Sequence, residues 1–146
     1  MTERDLLIER VQNNIHLISR EQRRSIAEIP KNNLTSFEYY VLKFLYSCGS
    51  PKTVSVIAQE MCVYPSLITA TADKLHTKGL VERNRCEKDR RVVQIALTPL
   101  GRQQIDEIQP RIHAHLVEKF SNVPTEDIEQ LLKILKLVLR TEENEE

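Results

Sequence analysis

The chain has 146 residues, enough for one domain with a real core and too few to expect two. Lys plus Arg and Asp plus Glu number 21 each, so the formal net charge is zero, which excludes a protein whose whole surface binds polyanions. The charges are segregated instead: from Lys74 to Arg102 the bases Lys74, Lys78, Arg83, Arg85, Lys88, Arg90, Arg91 and Arg102 outnumber Glu82, Glu87 and Asp89, while the chain closes on Glu142, Glu143, Glu145 and Glu146. The N-terminus MTERDLLIER lacks a signal-peptide apolar region, and no uncharged apolar run approaches membrane-spanning length, so a cytoplasmic protein with no membrane partner is expected. Cys48, Cys62 and Cys86 are far apart with no Cys-x-x-Cys pair, which fits neither a disulfide framework nor a zinc knuckle.

Leu7, Val11, Ile15, Ile18 and Gln22 recur three or four apart, with Glu9, Asn13, Arg20 and Arg23 between them, and predict an amphipathic first helix ending before Pro30. A second helix opens at Leu34-Thr35-Ser36-Phe37-Glu38, with Thr35 as N-cap, Glu38 as its capping-box partner and Leu34 placed to staple against Tyr39. It runs through Tyr40, Val41, Phe44 and Leu45 to Gly49, before a Ser50-Pro51 turn. Thr53 caps a short helix, Val54 to Met61, with Val54, Ile57, Ala58 and Met61 on one face. After Cys62-Val63-Tyr64, Pro65 starts a fourth helix, because its missing N–H would be unpaired in a first turn anyway. There Ile68, Ala72 and Leu75 share one side, Ser66, Thr69, Ala70, Asp73 and Thr77 lie on or near the other, and Gly79 ends the helix. Two helices joined by a short turn, the second displaying small polar side chains, form the helix-turn-helix pattern, whose second helix enters the major groove.

Gly79 to Gly101 reads as a β-hairpin. The outgoing arm is Leu80-Val81-Glu82-Arg83, and on the return arm Val93, Ile95 and Leu97 alternate with Val92, Gln94 and Ala96. The loop from Asn84 to Arg91 carries Arg85, Lys88, Arg90 and Arg91 and nothing apolar larger than Cys86, so it projects into solvent, where guanidinium forks suit phosphates and a narrow minor groove. Taken alone, such a hairpin is more often simply solvated. Thr98 caps and Pro99 starts a long fifth helix with the stripe Ile105, Ile108, Ile112, Leu116 and Phe120, bent by Pro110. Thr125, followed by Glu126 and Asp127, begins a sixth carrying Ile128, Leu131, Leu132, Leu135, Val138 and Leu139. All three glycines act as punctuation. The first, fifth and sixth helices bear more apolar surface than a small lobe can cover, which points to a partner chain. The fold class is mainly α with a small β-hairpin wing: a single domain, 1–146, with a winged helix-turn-helix lobe at about 34–101 flanked by dimerisation helices at about 1–30 and 103–146.

The runs Asp73-Lys74-Leu75, Lys78-Gly79-Leu80-Val81-Glu82-Arg83, Asp89-Arg90-Arg91 and Leu97-Thr98-Pro99-Leu100-Gly101, in this order of elements, resemble the MarR family of bacterial winged helix-turn-helix regulators. The family's wing signature is Asp-x-Arg followed by a strand ending Leu-Thr-x-x-Gly, and Asp89, Arg91, Leu97, Thr98 and Gly101 occupy those places. The resemblance implies a homodimer with interleaved terminal helices, a repressor of a palindromic operator in double-stranded DNA, and release by a small lipophilic or aromatic effector. It implies that Arg91 enters the minor groove, that Asp89 orients a nearby arginine, that Ser66, Thr69 and Ala70 face bases and phosphates, and that Lys74 and Arg90 contact the backbone; Pro65, Arg85 and Lys88 complete the DNA-binding set. It implies an effector pocket between the second, first and fifth helices, for which Tyr39, Tyr40, His16 and His113 are the candidates, although core packing is the commoner role of any one aromatic. Two positions depart from the family pattern: Ala70 stands where members often carry Arg, and Cys62 where the turn usually has Gly.

Other chemistry is sparse. Cys86, beside Arg85 and near Lys88, is a candidate redox thiol, but oxidant-sensing members of the family characteristically carry theirs in the first helix; Cys48 and Cys62 read as buried and inert. His113 and His115, two apart on a helix, point away from each other, so no metal ligand set is expected, and no cofactor. The chain has no Gly-rich phosphate loop, nucleophile elbow or His-Glu-x-x-His, and is not expected to be an enzyme. A thiol- or metal-responsive sensor on the same fold and a winged-helix protein-interaction module are the alternatives.

Overall fold

Side-chain caps set where the first three helices begin in the computed structural model, which describes residues 1–29 and 33–140. Pro30 and the acidic run Glu142, Glu143, Glu145 and Glu146 lie outside the described residues. Helix α1 (Glu3–Ala27) starts at a capping box that the sequence reading missed: Thr2 Oγ1 accepts from the Asp5 N–H at 3.2 Å, and Asp5 Oδ2 accepts from the Thr2 N–H at 2.7 Å. These bonds hold the Asp5 carboxyl below its ordinary pKa. Helix α2 (Ser36–Cys48) has the expected Thr35–Glu38 box and ends at Gly49, with φ of 64°. The two-residue strand β1 (Lys52–Thr53) follows, then α3 (Val54–Met61), capped by Thr53 Oγ1 on the Val56 N–H.

Helix α3 closes at Cys62, whose φ of 54° lies in the left-handed region that favours glycine. That geometry fits the Gly usual at this turn in the family the sequence resembles. It also corrects the expectation of buried, inert thiols: a helix-closing turn faces solvent, so Cys62 is exposed, and Cys48 is half-buried. Helix α4 (Pro65–Thr77) ends before Gly79, at φ of 75°.

Strands β2 (Val81–Arg85) and β3 (Val93–Leu97) pair antiparallel in the register Val81↔Leu97 to Arg85↔Val93, and β1 adds to the other edge of β3. The wing arm is longer than the sequence reading, so its loop begins after Arg85. Strand β1 is too short to show any periodicity, which is why the hairpin was expected without it.

In α5 (Pro99–Lys119), Thr98 Oγ1 accepts from the Gly101 N–H at 3.0 Å and donates to the Gly79 carbonyl at 2.7 Å, tying the helix start to the turn before the wing. Gly101 is not punctuation. It lies in the first turn of α5, where a Cβ would strike the Leu80 carbonyl oxygen. Pro110 sits inside the same helix.

The chain forms two compact units, Met1–Ile112 and a second beginning at His113. The core of the first contains Tyr39, Leu42, Leu45, Ile57, Ile68, Leu75, Ile95 and Ile105. Helix α1 adds only Ile26 as a fully buried residue; Leu7, Val11, Ile15 and Ile18 remain 45–59% exposed. In the second unit, α6 (Thr125–Leu139) buries none of its residues, and Leu131, Leu132, Leu135, Val138 and Leu139 are exposed. Among the described residues no helix is long and apolar enough to cross a membrane.

Candidate nucleic-acid interface

Helix α4 divides cleanly. Ile68, Thr71, Ala72 and Leu75 are buried, and the Thr71 hydroxyl is satisfied by the Leu67 carbonyl at 2.8 Å. Pro65, Ser66, Thr69, Ala70 and Lys74 are all exposed, as a helix free to enter a groove requires. Thr69 Oγ1 donates to the Pro65 carbonyl at 3.2 Å.

Two ion pairs hold α4 in place, and neither was visible in the sequence. Asp73 pairs with Arg83 on β2, joining the helix to the wing; both side chains are about half exposed, so the pair contributes at most about 1 kcal/mol. Lys78 Nζ donates to Glu38 Oε2 at 2.7 Å and to the Asn33 carbonyl at 2.5 Å. Glu38 is only 4% exposed, and its carboxylate also accepts the Thr35 N–H of the α2 cap. One buried carboxylate therefore serves the start of α2 and the end of α4. His76 Nδ1 lies 3.2 Å from the Val81 carbonyl, a further tie to β2 when that nitrogen carries the proton.

The wing tip is closed by its own backbone and side chains. The Cys86 N–H donates to the Val92 carbonyl at 2.9 Å, the Val92 N–H to the Asp89 carbonyl at 3.0 Å, and Arg85 Nη1 to the Arg90 carbonyl at 3.0 Å. Asp89 Oδ1 accepts from both the backbone N–H (3.0 Å) and Nε (3.2 Å) of Arg91. The Arg91 side chain is nonetheless 92% exposed. Asp89 thus orients Arg91 itself and leaves the Nη donors for an outside acceptor. Lys88 and Arg90 are exposed beside it, and half-buried Cys86 shares a shallow cleft with Arg85, Glu87 and Arg90.

The candidate effector residues are only partly brought together. Tyr39 and Tyr40 meet edge to face, with centroids 5.4 Å apart. Burial pushes both phenols up, with the Arg23 charge opposing this at Tyr40. Tyr39 is 1% exposed, and its Oη has no hydrogen-bond partner among the described residues. His16 lines a different cleft along α1, with Asn13, Leu17, Arg20 and Arg23, and His113 belongs to the second unit. Tyr46, a further aromatic of the second helix, joins α2 to α5, a tie that the sequence does not show: its Oη donates to Asp106 Oδ1 at 2.6 Å, and the Arg102 guanidinium lies 5.1 Å from its ring centroid. The Asp106 bond raises the Tyr46 phenol pKa. Among the described residues no group of three His, Cys, Asp or Glu could hold a metal ion.

The chain is similar in sequence and fold to known proteins. A family model described as the MarR family matches residues 34–93. Over 130 residues the chain is 32% identical to the HTH-type transcriptional repressor MdtR of Bacillus subtilis, covering 89% of this chain and 83% of MdtR. The crystal structure of the transcriptional regulator BldR from Sulfolobus solfataricus matches with a TM-score of 0.78 and 32% identity, over 96% of this chain and 99% of BldR. That of wild-type apo MarR from E. coli matches with a TM-score of 0.74 and 25% identity, over 88% of this chain and 95% of MarR.

Proposed function

Given that the chain belongs to the MarR family and is a transcriptional regulator with a DNA-binding winged-helix fold, not an enzyme, we propose that it works as a homodimeric repressor on a palindromic operator, released by a small lipophilic or aromatic effector. The wing tip carries the DNA-binding part of this reading. Asp89 holds Arg91 at two points while the side chain stays exposed, so a guanidinium stands ready in a constrained pose on a projecting loop, as a minor-groove contact needs. Pro65, Ser66, Thr69, Ala70 and Lys74 supply the major-groove face, and Arg85, Lys88 and Arg90 supply charge along the backbone.

Repression is supported by the similarity to the transcriptional repressor MdtR. Dimerisation is supported by the uncovered apolar stripes of α1 and α6, which a second copy would remove from water at about 25 cal/mol per Å² of apolar area. In this reading residues 34–101 are the DNA-binding lobe of a single domain, 1–30 and 103–146 hold the dimer, and the protein acts in the cytoplasm. The effector site lies around Tyr39 and Tyr40; the Tyr39 hydroxyl, without a hydrogen-bond partner among the described residues, supports a polar ligand atom there.

The test is binding to a labelled fragment of DNA upstream of the protein's own gene, against a shuffled fragment of equal composition, across a salt series. Preference for the native fragment with a steep salt slope is expected. Equal affinity for both would contradict a sequence-specific regulator.

A further inference from the structure

The exposed chemistry of α4 is unusual for a helix that reads bases. From Cys62 to Asp73 there is no Arg, Lys, Asn or Gln, the side chains that read guanine or adenine through paired hydrogen bonds. Large apolar groups stand there instead. Tyr64, the N-cap residue, makes no side-chain cap bond and is 83% exposed; Leu67, in the first turn, is 46% exposed, and Ala70 lies one turn on. The core does not require a large apolar residue at 67, because Ile68, Thr71, Ala72 and Leu75 already form the buried face. The Thr69 hydroxyl proton is committed to the Pro65 carbonyl, and Asp73 to Arg83 of the wing. Beside the small hydroxyls of Ser66 and Thr69, the apolar groups that α4 presents to the groove are then Leu67 and Ala70, on the edge that also bears Lys74.

Resting on the DNA-binding reading above, we infer that α4 reads thymine: Tyr64, Leu67 and Ala70 contact thymine C5-methyl groups, and the operator half-site is rich in A·T pairs where α4 enters. Among the DNA bases only thymine presents a methyl group in the major groove, and recognition helices contact base edges through their N-terminal residues. The wing arm agrees, since a lone arginine is drawn most strongly into the narrow minor groove of A·T tracts. Ala70, in place of the family's frequent Arg, becomes part of a changed code rather than a lost contact.

The experiment selects binding sites for the full-length chain from random duplexes, then replaces each half-site thymine in turn by deoxyuridine, which removes only the methyl. Wild type is compared with Leu67→Ala and Tyr64→Ala, each verified as folded by its thermal melt. Selected half-sites should be A·T-rich, and at one or more positions T→U should weaken wild-type binding about fourfold, the effect of one buried methyl. At such a position the T/U ratio should fall towards one in Leu67→Ala or Tyr64→Ala, as a direct contact demands. Half-sites with G·C pairs throughout the major-groove contact, or T/U ratios of one at every position, would overturn thymine reading while leaving operator binding intact. Failure to enrich any sequence would remove the DNA-binding reading, and this inference with it.

Discussion

The winged lobe and the terminal helices treat their apolar residues in opposite ways. Between Leu34 and Leu97, side chains such as Leu42, Ile57, Ile68, Leu75 and Ile95 are packed out of water by elements of the same chain. In α1 the stripe from Leu7 to Ile18 stays exposed, and α6 buries nothing. The lobe's core, completed by Ile26 of α1 and Ile105 of α5, is closed within one chain, which suits a surface that must fit DNA. Helices that leave their apolar faces in water suit assembly with a second copy.

Substitutions at the two kinds of site should therefore fail differently. The largest effect is expected from Val11→Glu with Ile18→Glu: sedimentation should show a monomer, and operator affinity should fall by about a hundredfold or more as the two lobes lose their linkage. A dimer of unchanged affinity would place the interface elsewhere. Leu75→Ala, in the lobe, should lower unfolding free energy by about 2–5 kcal/mol while the protein still dimerises. Lys78→Met leaves the Glu38 carboxylate buried without its cation, and about 2–3 kcal/mol of stability should be lost in denaturant titration. A loss below 0.5 kcal/mol would mean that the pair is dispensable.

Smallest is Tyr39→Phe. The hydroxyl is buried without a partner among the described residues, so its removal should be neutral or stabilising by up to about 1 kcal/mol in the absence of effector. Burial raises the Tyr39 phenol above its ordinary 10.0, so the stability it contributes is complete below that pH and is lost as pH climbs through the raised folded value. Tyr39→Phe should flatten the fall in melting temperature above pH 10, and an identical alkaline profile would show that Tyr39 does not titrate there.

The fold was largely legible because its signals are local. Thr35 and Glu38 are three residues apart, Pro65 and Gly79 bracket α4, and the alternation of Val93, Ile95 and Leu97 marks β3, so each can be read in a short window. What escaped is non-local or too short. Glu38 and Lys78 lie 40 residues apart, Tyr46 and Asp106 lie 60 apart, and β1 has two residues. Cys62 was misjudged because cysteine is usually buried, whereas its backbone here closes a helix at positive φ. At the candidate site the polar α4 residues are legible from helical spacing and an Asp89 contact to a nearby arginine is implied by the resemblance, while the identity of that arginine as Arg91 and the apolar weight of Tyr64 and Leu67 emerge only from the folded chain.

The wing tip offers the most direct measurement: operator titration of wild type and Arg91→Ala at moderate salt, with sedimentation of both. Affinity should fall more than tenfold, with the dimer intact. Equal affinities would contradict the assignment of the wing as a DNA-reading arm.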